Sequence, residues 1–170
     1  MKKNNLKKYV ILILLLSSFF YTFFSYVQKN FFQVSNHNLR FHFIDVGQGD
    51  SSLIITPKGK TILIDAGDEA HAKKVVSYIR EQGIEKLDLV IATHPDADHI
   101  GGMDKVIKNF DIDVFAMPDV SAKTNQYKQI QRELKAKKMR ATRLYQGDEV
   151  QIDDDIDFEI LSPVKGKKYD

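Results

Sequence analysis

The residues predict an α/β domain of the layered α+β kind behind one hydrophobic helix, and three patterns carry that prediction. Residues 9–27 form an uncharged run of 19. After residue 39, short apolar stretches are punctuated by glycine and proline, as in a strand meander. From about residue 69 onward, helix-period and strand-like stretches alternate. Strands first and alternation afterwards indicate helices layered on a sheet. At 170 residues the chain has room for one modest domain.

The amino terminus reads as an address. Lys2, Lys3, Lys7 and Lys8 precede the run YVILILLLSSFFYTFFSYV, which approaches the roughly 20 residues that a helix needs to cross the hydrocarbon core. The lysines hold residues 1–8 on the cytoplasmic side, so the rest of the chain is expected outside the cell. A cleavable signal peptide is the competing reading, but Phe24 to Lys29 offers no pair of small residues for a cut. A signal anchor over 9–27 is therefore expected, with a polar tether over 28–38 and the domain over 39–170. Bulk charge narrows the partners. The chain carries 25 basic and 23 acidic residues. Five of those lysines, Lys2, Lys3, Lys7, Lys8 and Lys29, fall in the first 29 residues, which leaves 20 against 23 and a net of −3 beyond them. The domain is not a basic nucleic-acid coat, so phosphate binding there needs a local patch or a metal. No cysteine is present, which removes disulfides, thiolate zinc sites and cysteine nucleophiles.

Strands are expected at 39–46, 51–56 and 61–66, separated by Gly47, Gly49 and the Pro57–Gly59 turn. A helix follows from about 69 to 82, with Ala72, Val75, Val76 and Ile79 inward and Gly83 closing it. Residues 87–92, LDLVIA, suit a strand covered on both faces. The pattern then predicts a helix over 99–109, a strand over 113–117, a helix over 124–138 and strands over 141–145 and 149–161. His42 and His71 read as packed or surface residues on their elements. The cations Lys135, Lys137, Lys138, Arg140 and Arg143 read as a solvated helix face, with phosphate contact as the rarer meaning.

Chemistry concentrates in Thr93-His94-Pro95-Asp96-Ala97-Asp98-His99-Ile100-Gly101-Gly102, between a strand and a helix. Loops at the carboxyl ends of strands are where α/β folds place their sites. In an extended loop alternate residues point the same way, so His94, Asp96 and Asp98 converge while His99 enters the helix beside them, which suggests two metals. Helix capping by Asp98 is the plain alternative, and it accounts for one carboxylate but not for four ligand-type residues. Gly101 and Gly102 allow close backbone packing beneath the site. Asp45 and Asp65 end strands, where an aspartate before glycine usually serves a turn. The Gly47-Gln48-Gly49-Asp50 segment lacks the features of a nucleotide-binding loop.

Taken in order, FHFIDVGQGDS, KTILIDAGD and THPDADHIGG resemble the metallo-β-lactamase superfamily, and within it the extracellular domain of ComEC-type competence proteins. The resemblance covers about residues 39–163. It implies an αββα sandwich, here mainly its N-terminal half. It also implies two divalent metals that activate a water for attack on a phosphoester. Carried over by motif, His94 and Asp96 are ligands of one metal, Asp98 and His99 are ligands of the other, Asp98 and Asp65 are the catalytic-site carboxylates, and Asp65 supports the ligand loop. Asp45 and Asp50 take structural positions. The usual pattern has histidine where Asp96 stands, and a carboxylate there shifts the expected metal from zinc toward manganese or magnesium. His99 is the last histidine of the sequence. The second ligand set of the family is thus absent from these residues, and a truncated chain is expected. A metal-dependent phosphodiesterase acting on nucleic acid or a small phosphorylated compound is the first functional expectation. A truncated, inactive, membrane-anchored module binding DNA or a protein partner is the second, and β-lactam hydrolysis is disfavoured by the competence-type motif.

Overall fold

The computed structural model describes residues 2–31, 38–154 and 156–167, with side chains of the first segment described at residues 8–9 and 12–25. The chain divides into two units, Met1–Asn36 and His37–Asp170. The first contains one helix, α1 (Lys2–Phe31). Its 30 residues give a rise of about 45 Å at roughly 1.5 Å each. The helix takes in the basic tail, the apolar run and residues 28–31 of the expected tether, while 32–37, His37 among them, lie outside the described residues. Among the described residues no helix is long and apolar enough to cross a membrane. The structure therefore does not confirm the anchor.

The second unit is built on one five-stranded sheet in the order β1-β2-β3-β4-β5: β1 (Arg40–Phe43), β2 (Ser52–Ile55), β3 (Thr61–Ile64), β4 (Lys86–Ile91) and β5 (Asp111–Ala116). The first three strands form the expected antiparallel meander. β4 then pairs parallel to β3 and β5 parallel to β4, because each is reached through helices: α2 (Ala72–Glu81) on one crossover, α3 (Ala97–Ile100) and α4 (Met103–Asn109) on the other. After β5 come α5 (Asn125–Ala136) and a separate hairpin, β6 (Glu149–Asp153) with β7 (Ile156–Glu159).

Strand alternation assigns side chains to two cores. Leu53, Ile55, Leu63, Val90 and Phe115 face the helices, where they pack with Val75, Ile79, Met103, Ile107, Phe110, Ile130 and Leu134. Ile54, Ile62, Leu89 and Ala116 face the other way, against Leu144 and the hairpin residues Val150, Ile152 and Phe158. Toward the β1 edge, Phe41 and Phe43 are exposed. The mixed α/β reading holds, with helices on one face of the sheet.

Three expected elements differ. The helix over 99–109 is broken at Gly101-Gly102 into α3 and α4. A Cβ at Gly102 would lie 2.3 Å from the carbonyl oxygen of Ala66, so the chain passes β3 at a distance open only to glycine. The strand over 141–145 reduces to one bridge, Thr142 beside Ala116. The strand over 149–161 is two, β6 and β7, paired antiparallel.

Candidate metal centre

Since β3 and β4 run parallel in register, with Ile62 opposite Leu89 and Ile64 opposite Ile91, their carboxyl ends open at one edge of the sheet. Asp65 follows β3 there and the ligand-type loop follows β4. Backbone bonds join the two exits. The Asp65 N–H donates to the Ile91 carbonyl at 2.9 Å and the Ala66 N–H to the His99 carbonyl at 2.8 Å. Asp65 holds φ at +56°, a left-handed conformation that aspartate tolerates better than most residues. Gly49, at φ +103°, lets the preceding loop close over α3, because a Cβ there would stand 1.9 Å from the Asp98 carbonyl oxygen.

Asp65 is 2 % exposed, and its carboxylate accepts three hydrogen bonds. The Thr93 backbone N–H donates to Oδ1 at 2.8 Å, the Thr93 hydroxyl to Oδ2 at 2.5 Å, and His99 Nδ1 to Oδ2 at 2.9 Å. Counting hydrogens settles the histidines. A threonine hydroxyl has one proton, and here it goes to the carboxylate, so the His94 Nδ1 that lies 2.9 Å from Thr93 Oγ1 must be the donor of that contact. Both imidazoles therefore direct Nδ1–H toward Asp65, His99 directly and His94 through Thr93. Nε2 of each ring takes no part in these contacts. This is the arrangement that orients histidine ligands and raises their basicity.

The two rings lie close, with centroids 3.9 Å apart. Single ligand atoms of Asp65, His94 and His99 fall within 4.8 Å of one another. Asp65 is the least suited of the three to ligate, because its oxygens are already engaged by three donors. Asp96 is the better oxygen donor. Its Oδ2 stands 3.6 Å from His94 Nε2, close enough for one cation to contact both atoms. The donor set of imidazole nitrogen and carboxylate oxygen fits zinc, manganese or a similar divalent ion.

The remaining expected residues are placed as follows. Asp98 lies in the first turn of α3, half-buried, and among the described residues its carboxylate makes no hydrogen bond; the N-cap is Asp96, and it too makes no side-chain capping bond. Neither carboxylate is used as a cap. Asp45 sits in a turn, accepting from the Gly47 N–H at 3.1 Å and pairing with Lys74 at 2.9 Å, and these donors hold its carboxyl below the usual range. Asp50 is nearer the centre than its turn position suggests: Oδ2 lies 3.8 Å from His99 Nδ1, and its carbonyl accepts from the Gly67 N–H. His71 bonds Asp68 through Nδ1 at 2.7 Å and lowers that carboxyl, while His42 bonds the Tyr78 hydroxyl at 2.8 Å, with burial and then Arg40 lowering the imidazole. The residue that sequence reasoning passed over is Thr93. Its position directly before His94 was visible; its bond to a carboxylate 28 residues earlier was not.

Comparison with known proteins supplies the lineage. The profile of the Metallo-beta-lactamase superfamily matches residues 44–166. ComE operon protein 3 of Bacillus subtilis (strain 168) is 27 % identical over 137 residues, covering 71 % of this chain and 18 % of that protein. The probable metallo-hydrolase YqgX of the same organism is 39 % identical over 54 residues, 32 % of this chain and 24 % of that one. Among solved structures, a metallo-β-lactamase with a HARLDQ motif from Cronobacter sakazakii shows 18 % identity and a TM-score of 0.48, over 65 % of this chain and 45 % of that one. The chain thus spans about a fifth to a quarter of the length of these two curated relatives. With the matched region, residues 44–166, reaching from the end of β1 through both strand exits of the candidate site, the chain belongs to the metallo-β-lactamase superfamily.

Proposed function

We propose that this chain is a metal-dependent hydrolase that cuts phosphodiesters, in nucleic acid or a smaller phosphorylated compound, outside the cell. In this reading residues 9–27 hold it to the membrane, and the domain serves a competence-related step of DNA uptake. One observation carries the reading: Asp65 accepts from His99 Nδ1 and from the Thr93 hydroxyl, which itself contacts His94 Nδ1, and the Asp96 carboxylate stands 3.6 Å from His94 Nε2. His94, Asp96 and His99 would hold a divalent ion, with Asp98 available to a second one. A metal bound there supplies Lewis-acid stabilisation of phosphoryl oxygen and makes a water more acidic. The chain's own part is to orient the two rings through Nδ1 and to keep Asp65 enclosed. No side-chain nucleophile is required, which suits a sequence without cysteine. The likeness to ComE operon protein 3 supports the competence-related part of the reading, and the 19 uncharged residues support the membrane part.

The test is metal uptake and hydrolysis of bis(p-nitrophenyl) phosphate by the full chain in detergent, with manganese, magnesium or zinc added, beside His94→Ala. Metal-dependent turnover that falls by at least about a hundredfold in the variant is the expected outcome. A folded wild type with no metal uptake and no turnover overturns the enzymatic reading. It favours the non-catalytic module that binds DNA or a protein partner.

A further inference from the structure

Away from the metal centre, α5 and the segment after it enclose an open groove of about 650 Å³ at the β5 edge of the sheet. Its lining includes Lys135, Lys138, Arg140 and Arg143, with Leu134 and Met139 also contributing. The five cations between 135 and 143 have no acid among them in the sequence. Two of the five are engaged: Lys137 donates to the Phe110 carbonyl at 2.5 Å, and Arg143 donates to the Pro118 carbonyl at 2.5 Å and lies 3.7 Å from Asp119. Among the described residues Lys135, Lys138 and Arg140 have no carboxylate partner, and all three are exposed. A helix C-terminus attracts cations by its dipole, which accounts for Lys135 in the last turn. It does not account for Arg140 and Arg143, which lie beyond the helix, or for the backbone at Lys138.

Lys138 stands at φ +57°, and it and Asp65 are the non-glycine residues with positive φ among those described. The helix ends of α2 and α5 show what is unusual. Each closes with the same pair of bonds: Gly83 N–H to Arg80 and Ile84 N–H to Ile79 in α2, Lys138 N–H to Lys135 and Met139 N–H to Leu134 in α5. The left-handed position is filled by Gly83 in the first and by Lys138 in the second. Glycine is the residue that this position favours, so a lysine there is a local cost that stability does not explain.

We propose that this groove binds the sugar-phosphate backbone of a nucleic-acid strand, with Lys135, Lys138 and Arg140 as its phosphate contacts. Several cations along one concave surface suit a chain of phosphates better than a single anion. Concavity also disfavours a flat membrane. The link from this groove to the metal centre rests on the phosphodiesterase reading; the binding does not.

The experiment is fluorescence anisotropy of a labelled 20-nucleotide oligothymidylate with the full chain in detergent and EDTA, across a salt series, beside Lys138→Gly and the pair Lys135→Gln/Arg140→Gln. Lys138→Gly is expected to raise Tm by about 4 °C, because it relieves the left-handed strain, and to weaken binding about three- to tenfold. The log–log salt slope should become shallower by about 0.7 for each cation lost. Opposite signs on stability and affinity distinguish a contact from a fold defect. Oligonucleotide binding that is absent in the wild type, or equal in all three proteins, overturns the proposal. So does a loss confined to vesicles carrying phosphatidylglycerol, which would make the groove a lipid-headgroup site. His94→Ala that stops hydrolysis and keeps this binding supports the groove independently, and binding retained with no hydrolysis in the wild type breaks the metal reading alone.

Discussion

Asp65 and Asp88 clamp the same two parallel strands from opposite ends, and they do so with the same local chemistry. Asp88, at the start of β4, accepts from the Thr61 backbone N–H at 2.9 Å and from Lys60 at 2.7 Å, and the Thr61 hydroxyl, 3.1 Å from the same carboxylate, also lies 3.0 Å from the Lys86 carbonyl. Asp65, past the end of β3, accepts from the backbone N–H and hydroxyl of Thr93, with His99 as the third donor. In each case a carboxylate accepts the backbone N–H of a threonine at the other strand's end and lies against its hydroxyl. Only the third donor differs. A lysine closes the structural clamp with an ion pair, whereas a histidine leaves a second nitrogen facing outward. The comparison shows that closing the same clamp with histidine in place of lysine leaves a ring nitrogen outside it, which the proposed metal-binding role requires.

Breaking the clamp at the carboxyl end should have the largest effect. Asp65→Ala removes three accepted hydrogen bonds from a buried position and places alanine at φ +56°, so a loss of about 3–5 kcal/mol is expected, together with loss of metal uptake. Chemical denaturation and metal titration of the same preparation check it. A variant that unfolds at the wild-type denaturant midpoint would sink the assignment of Asp65 as the support.

A finer cut separates orientation from stability. Thr93→Val keeps the shape of the side chain, removes the hydroxyl between His94 and Asp65, and leaves the backbone bond to Oδ1. Metal affinity is expected to fall about tenfold or more, with a stability loss of only about 1–2 kcal/mol. The expected pattern includes an NMR change in the His94 tautomer and none in His99, which bonds Asp65 directly. Unchanged His94 nitrogen shifts would remove Thr93 from the relay.

How far these clamps were legible depends on the distance of each partner in sequence. Periodicity alone located the β1–β3 meander, α2, β4 and α5, because Val75, Val76 and Ile79 or Leu53 and Ile55 repeat at spacings that each element imposes. The loop from His94 to His99 announced itself by composition, and the structure brings His94 and His99 together while Asp96 stands beside His94. Thr93 and Asp88 carried no signal: a threonine after a strand and one aspartate in an apolar run are ordinary residues until the opposing strand is known. Gly101-Gly102 was read as room for close packing, yet the apolar period of Ile100, Met103, Val106 and Ile107 ran across it and concealed the break into α3 and α4. Lys138 was legible only as charge, since nothing in its neighbours specifies a left-handed backbone.

The smallest expected effect isolates the amino-terminal clamp. Burial raises the Asp88 carboxyl, and the bonds from Lys60 and Thr61 outweigh it, so its folded value lies below the ordinary one. An unfolded aspartate titrates near about 3.9, so the stabilisation is complete above that pH and is lost as pH falls through the lower folded value. Asp88→Asn should therefore cost about 1–2 kcal/mol at pH 7 and less at pH 3, with metal uptake unchanged throughout. Thermal melts of both proteins between pH 3 and 7 read the difference. A gap in Tm that stays constant on acidification would mean that the ionised carboxylate contributes nothing beyond the shape that asparagine preserves. The two ends would then differ in kind, one held by charge and the other by geometry.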